Sequence, residues 1–280
     1  MRSTFFRSRF AKLALLWLVS TLSSGCLAAT TLITVKSDAS GTIEQTLVMS
    51  PTAVAQLQQM MAMGQAAGGG SKPTELFSEQ EARNAATRIG DGVTYVSSQR
   101  LKTADGEGLK ALYAFTDVRK LRLSERPTPP GSAAMPGVTP PGRGGSDDLT
   151  FRFSGPPAGN PTVTVVFPSP PAGGRQSAPD TGRGGQMPPE AMAMARQMFK
   201  GLRIDIAMQV DGRIVRTNSP YVDGSKVTLL AIDFEQFLDD PALLGDLQKL
   251  QSIEAVRSRL GGVKGVKINP DNEVSVEFTR

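Results

Sequence analysis

Fifteen of the 20 prolines in this 280-residue chain fall between Ser124 and Pro189. Proline fixes φ and removes a backbone donor, so such a stretch cannot run as a long helix or as unbroken sheet interior. A packed body has to be assembled mainly from the flanks, residues 26–123 and 190–280, with 124–189 as a Pro/Gly-rich insertion. Two runs inside the insertion, Leu149-Thr-Phe-Arg-Phe153 and Thr162-Val-Thr-Val-Val-Phe167, alternate without breakers and are predicted strands. The stretches around them, 124–147 and 169–186, are too polar to bury a core and are predicted to be disordered.

The flanks carry regular patterns. Thr31–Lys36, the turn Asp38-Ala-Ser-Gly41 and Thr42–Met49 read as a hairpin. Ser50-Pro51 starts a helix with Val54, Leu57 and Met61 on one face. Ser78-Glu-Gln-Glu81 is a capping-box pattern opening a second helix, through Ile89. Strands Val93–Lys102 and Leu109–Leu123 follow, the latter with a break near Asp117. In the C-terminal flank, 188–199 reads as a helix, and Leu202, Ile204, Ile206, Met208 and Val210 alternate as a strand. Asp211-Gly212 is a two-residue hairpin signal into Arg213–Thr217. Lys226–Phe234 is the next strand, and Asp240-Pro241 opens a helix with a leucine stripe. Val263–Ile268 and Val274–Phe278 read as a closing hairpin. Repeated hairpin turns between helical stretches predict an α+β fold, a mainly antiparallel sheet covered by helices and interrupted by the insertions.

The first 25 residues read as a secretory signal. Arg2, Arg7, Arg9 and Lys12 lead an apolar run, Leu13–Val19, and small residues follow it to Cys26. About ten apolar residues are too few to span roughly 30 Å of hydrocarbon. Leu22-Ser-Ser-Gly-Cys26 resembles the lipobox of bacterial lipoproteins, in which the cysteine becomes the acylated first residue. The other reading is cleavage after Ala28 or Ala29, with Cys26 discarded. The four leader cations account for all but one of the formal +5, so the mature chain has no field to steer nucleic acid.

With no histidine and one cysteine, the chain lacks Ser-His-Asp and Cys-His machinery, a CxxC pair and His- or Cys-ligated metal sites. Asp147-Asp148 and Asp239-Asp240 are adjacent pairs, not carboxylates facing each other across a substrate. Arg143-Gly-Gly and Arg183-Gly-Gly lack the interleaved aromatics of RNA-binding segments. Methionines cluster at Met60, Met61 and Met63 and at Met187, Met192, Met194 and Met198. Soft thioethers suit Cu(I), but unbranched methionine equally suits core packing or an adaptable apolar groove. No cofactor, metal or catalytic residue is assigned.

The order of parts resembles the LppM-domain family of bacterial lipoproteins. The residues that carry this are Thr30-Thr-Leu-Ile-Thr-Val35 after Cys26, Ser37–Gln45, and Gly212–Asn218 followed by Lys226–Asp233. The resemblance covers about 26–60 and 200–235; it implies a lipid-anchored envelope protein and brings no catalytic residues. The expectation is a non-catalytic protein held to the membrane by acylated Cys26, facing the periplasm or cell exterior. Its partner would be a lipid or envelope protein, with any ligand between the sheet and the Met-rich helices. A soluble periplasmic enzyme and an envelope assembly component are the alternatives.

Overall fold

The computed structural model describes residues 27–55, 58–59, 77–103, 106–124, 148–155, 159–168, 201–234 and 259–279. The expected hairpin forms as β1 (Leu27–Val35) and β2 (Gly41–Met49), paired from Leu27↔Met49 to Val35↔Gly41. Its turn is closed by Asp38, whose carboxylate accepts the Ser40 N–H and hydroxyl. Gly41 has to be glycine, because a Cβ there would sit 1.9 Å from the Thr34 carbonyl and 2.6 Å from the Phe115 ring. Ser50 caps a helical turn at 51–55, its hydroxyl accepting the Ala53 N–H at 3.2 Å. The capping-box helix, α1 (Glu79–Ile89), starts where the Ser78 hydroxyl accepts the Glu81 N–H at 3.1 Å. Ala82, Ala86 and Ile89 form its buried stripe, and it packs on the next strand, β3.

Strands β3 (Val93–Thr103) and β4 (Gly106–Phe115) complete one side of a large sheet. The predicted break at Asp117 is present: Asp117 caps a 3₁₀ turn at Val118–Lys120, and the chain leaves the sheet there. It continues as β5 (Arg122–Ser124), β6 (Asp148–Ser154) and β7 (Thr162–Val166) in a second sheet. Then come β8 (Arg203–Val210), β9 (Ile214–Thr217), β10 (Val222–Asp223), β11 (Lys226–Asp233), β12 (Val266–Ile268) and β13 (Glu273–Phe278). The large sheet runs β10-β11-β8-β1-β2-β4-β3, with β12 also on β11; the second runs β5-β6-β7-β13-β9. β1 and β8 are parallel, and every other pairing is antiparallel.

This corrects the predicted fold class. Among the described residues strands make up 58% and helices 16%, and these residues form a two-sheet β structure, not a sheet covered by helices. The physical reason lies in the alternating runs of β6, β7 and β13. Phe151, Val163, Val165, Val274, Val276 and Phe278 give the second sheet an apolar face, and that face shares one continuous core with Ile33, Val35, Ile43, Tyr113 and Met208 of the first. The helices predicted at 188–199 and after Asp240 lie outside the described residues, apart from a helical end at 259–260.

Two predicted hairpins are corrected as well. Asp211-Gly212 does not fold β8 back on β9; β8 pairs with β1 and β11, while β9 pairs with β13 across the other sheet. Likewise β12 pairs with β11 and β13 with β7 and β9, so Asn269–Asn272 carries the chain from one sheet to the other. Turn residues mark where a strand stops; they do not say which sheet the next strand joins.

Asn269 fastens this last crossing to β11 and to the link from β9 to β10, which also passes between the sheets. It is 1% exposed, and its amide donates to the carbonyls of Thr228 (3.0 Å) and Leu229 (2.8 Å) while its oxygen accepts the Ser219 hydroxyl (2.6 Å). The two carbonyls flank a bulge in β11, where the register slips between Thr228 and Leu230. The bulge lets Leu229 and Leu230 both lie in the core, against strict alternation, and leaves the local ladder irregular. Two edge strands are bulged too, at Val96 in β3 and Val215 in β9, and these valines are about half exposed. A bulge at an edge disrupts the template for pairing with another chain.

Candidate functional site

Burial along the large sheet is uneven. One cross-strand row, Val227–Met208–Ile33–Ile43–Tyr113, is fully inside the core shared by the two sheets. Four residues earlier along β1, roughly 13 Å away at strand rise, lies a parallel row on the same face: Ile232–Ile204–Ala29–Leu47–Leu109. All five of these residues are only half buried. The row between them places Thr31 beside Gln45, both also half buried, with Ile206 and Ala111 at their sides. Five adjacent strands thus offer an apolar strip with a hydroxyl and an amide next to it. Binding sites for apolar molecules are built in that proportion, mostly hydrocarbon with a few polar groups.

The strip lies at the end of the sheet where β1 begins, flanked by two small apolar clusters separate from the main core. On one side Met49 and Phe77 pack with Leu27, Leu47, Ala53, Val54 and Leu109. On the other, Leu260 and Val266 pack with Ile232, Val263 and Ile268. Cys26 lies just outside the described residues, and Leu27, the next residue, is already paired with Met49. Ala28 and Ala29 are paired on both sides, with β2 and with β8.

The shifted ionisable groups sit elsewhere and have structural causes. Burial pushes the Tyr113 phenol up to about 12, opposed by Arg88 and reinforced by Tyr95 and Glu81, so its hydroxyl stays protonated at any physiological pH. Its ring meets Tyr95 edge-on at 6.3 Å, and the Arg83 guanidinium lies 4.4 Å over Tyr95. The side-chain hydrogen bond from Ser40 holds Asp38 below the ordinary carboxylate range, and the one from Arg119 does the same for Asp117. Both carboxylates close turns. Among the described residues no three His, Cys, Asp or Glu side chains gather as a metal site.

Of the predicted residues, Asp148 opens β6 opposite Ser124, at a strand end. Asp147, Asp239, Asp240 and both methionine clusters lie outside the described residues, as does the groove expected between the sheet and the Met-rich helices. The apolar strip was not foreseen. Its members fall within predicted strands, but their alignment depends on the register of five strands and on a parallel β1–β8 pairing that no local signal specifies.

No helix among the described residues is long and apolar enough to cross a membrane. No family model and no curated protein matches the chain. Among solved structures, the NMR structure of the folded domain of the Mycobacterium tuberculosis LppM protein is similar over 94% of this chain and 95% of that one, at 7% identity and a TM-score of 0.31. That is a weak structural resemblance, and nothing about function follows from it.

Proposed function

We propose that this chain is an exported, lipid-anchored, non-catalytic protein of the bacterial cell envelope that binds a lipid or an envelope partner through the apolar end of its large sheet. The observation that carries the proposal is the coincidence of the Cys26 signal with that end. The half-buried strip Ile232–Ile204–Ala29–Leu47–Leu109 lies beside the strand that starts at Leu27. Cleavage after Ala29 would remove three residues of β1, two of them paired on both sides, whereas cleavage before Cys26 leaves the strand whole. That supports Cys26 as the mature first residue. The strip and its two polar neighbours support an apolar ligand held by shape, not one that is turned over.

Two measurements test this. The intact mass of the mature protein from its host should show a chain starting at Cys26 with added diacylglycerol, absent from Cys26→Ala. Thermal unfolding against a phospholipid and glycolipid panel should rise with at least one member, and Ala29→Asp in the strip should abolish the rise. A chain starting at Thr30 sinks the anchor; a flat response across the panel sinks lipid binding.

A further inference from the structure

We propose that the edge of the large sheet bearing Leu27 is a membrane-contact surface, seated on the headgroups of the bilayer that holds the anchor. The inference rests on the acylation of Cys26 proposed above. The pairing registers align one row of strand ends. Lys102 stands opposite Glu107, Glu107 opposite Met49, and Met49 opposite Leu27. Beyond β1, Ala28 is level with Arg203, Arg203 with Asp233, and Ile232 with Val266. Seven strands therefore end along one rim.

Leu27 is fixed in this rim by its ladder partner, and a residue spans at most about 3.6 Å. An anchor on the preceding residue has no tether, so the surface around Leu27 must meet the lipid surface. The opposite end of β1, at Lys36, is nine residues and roughly 30 Å away.

The rim has the chemistry for that contact. Lys102 is 85% exposed and Arg203 47% exposed, and Lys264 and Lys267 add two exposed ammonium groups on the same side. Glu107 lies 3.5 Å from Lys102 and Asp233 3.3 Å from Arg203, each acid matched to a rim cation. Lys264 and Lys267 are then available to lipid phosphates, while the apolar clusters around Leu27 and Val266 lie behind the charged edge.

The test uses the full lipidated chain in vesicles of phosphatidylethanolamine and phosphatidylglycerol containing a headgroup-quencher lipid. Single exposed positions carry a thiol-reactive fluorophore: Lys102→Cys and Gly262→Cys on the rim, the latter where an added Cβ meets no neighbour, and Lys36→Cys and Lys226→Cys at the far end. The expected result is quenching several-fold stronger at 102 and 262 than at 36 and 226, with all four proteins floating with the vesicles. Equal quenching at both ends, or stronger quenching at 36 and 226, in protein that still floats overturns the rim while leaving the anchor intact. Rim labels that stay unquenched and crosslink to a second protein assign the surface to a protein partner and overturn the proposal. Failure to float, with no acyl mass on Cys26, overturns the anchor and the rim with it.

Discussion

Asn269→Ala should be among the most damaging single polar substitutions in this protein. The side chain is buried and serves three groups: two carbonyls at the β11 bulge and the Ser219 hydroxyl. A buried group left without its partner costs about 1–3 kcal/mol, so three give an upper range near 9. Two effects bring that down. Carbonyls have second lone pairs and looser demands than N–H groups, and a water can enter the space the amide vacates. A loss of about 3 kcal/mol is therefore expected, or a melting-point drop of roughly 6–12 °C for a chain of this size. Asn218→Ala is the control. Asn218 also makes three hydrogen bonds, to Asp271, Glu273 and Ser275, but it is exposed, so water replaces them and the cost should stay near 1 kcal/mol. The assay is urea unfolding followed by circular dichroism, with slopes compared. Equal losses for the two variants, or a loss below about 1 kcal/mol for Asn269→Ala at unchanged slope, would refute the argument from burial. Asn269→Asp adds a pH arm. A carboxylate facing two carbonyl oxygens favours its protonated form, which raises its folded pKa. This variant should therefore be most stable in acid and lose stability as pH rises, opposite to the usual carboxylate behaviour.

Four further outcomes follow from the same structure. Phe278→Ala, fully buried in the second sheet, should cost about 3–5 kcal/mol, and tyrosine fluorescence from the first sheet should report the same midpoint as circular dichroism; separate transitions would show that the sheets do not share one core. Gly41→Ala should destabilise by about 1–3 kcal/mol, because the new methyl meets backbone at Thr34; an unchanged midpoint in denaturant would contradict that contact. Asp38 and Asp117 have folded pKa values below the ordinary 3.8, so their contribution is complete above that value and is lost as pH falls below it. Asp117→Asn should accordingly flatten the acid limb of the stability profile, and an unaltered limb would remove the Arg119 hydrogen bond as its cause. Val96→Lys in the half-exposed bulge of β3 should leave stability within about 0.5 kcal/mol, a larger loss in urea showing that the bulge side chain is packed after all.

Much of the local structure was written in the residues. Ser78 and Glu81 announced the start of α1, Asp38-Ala-Ser-Gly41 the hairpin, Asp117 a break, and the alternation of Ile204, Ile206, Met208 and Val210 a strand. These depend on near neighbours: a capping hydroxyl three residues from its donor, a turn closed by its own carboxylate, a side-chain period of two. The expected leader and the lipobox expected at Cys26 rest on the same kind of linear pattern, read without a fold. Tertiary structure decided the rest, because it turns on pairings between distant strands. Nothing local to Asp211-Gly212 or Asn269-Pro270 says that the chain there leaves one sheet for the other, and so hairpins were expected where sheets change. Nothing in Leu27–Val35 specifies a parallel partner at 203–210. That pairing aligns Ile204 with Ala29 and Arg203 with Ala28, and so creates the apolar strip and the charged rim beside it. The cover of the large sheet was decided the same way. An apolar face must be buried but does not name its partner, and here a second sheet, itself apolar on one side, supplied it.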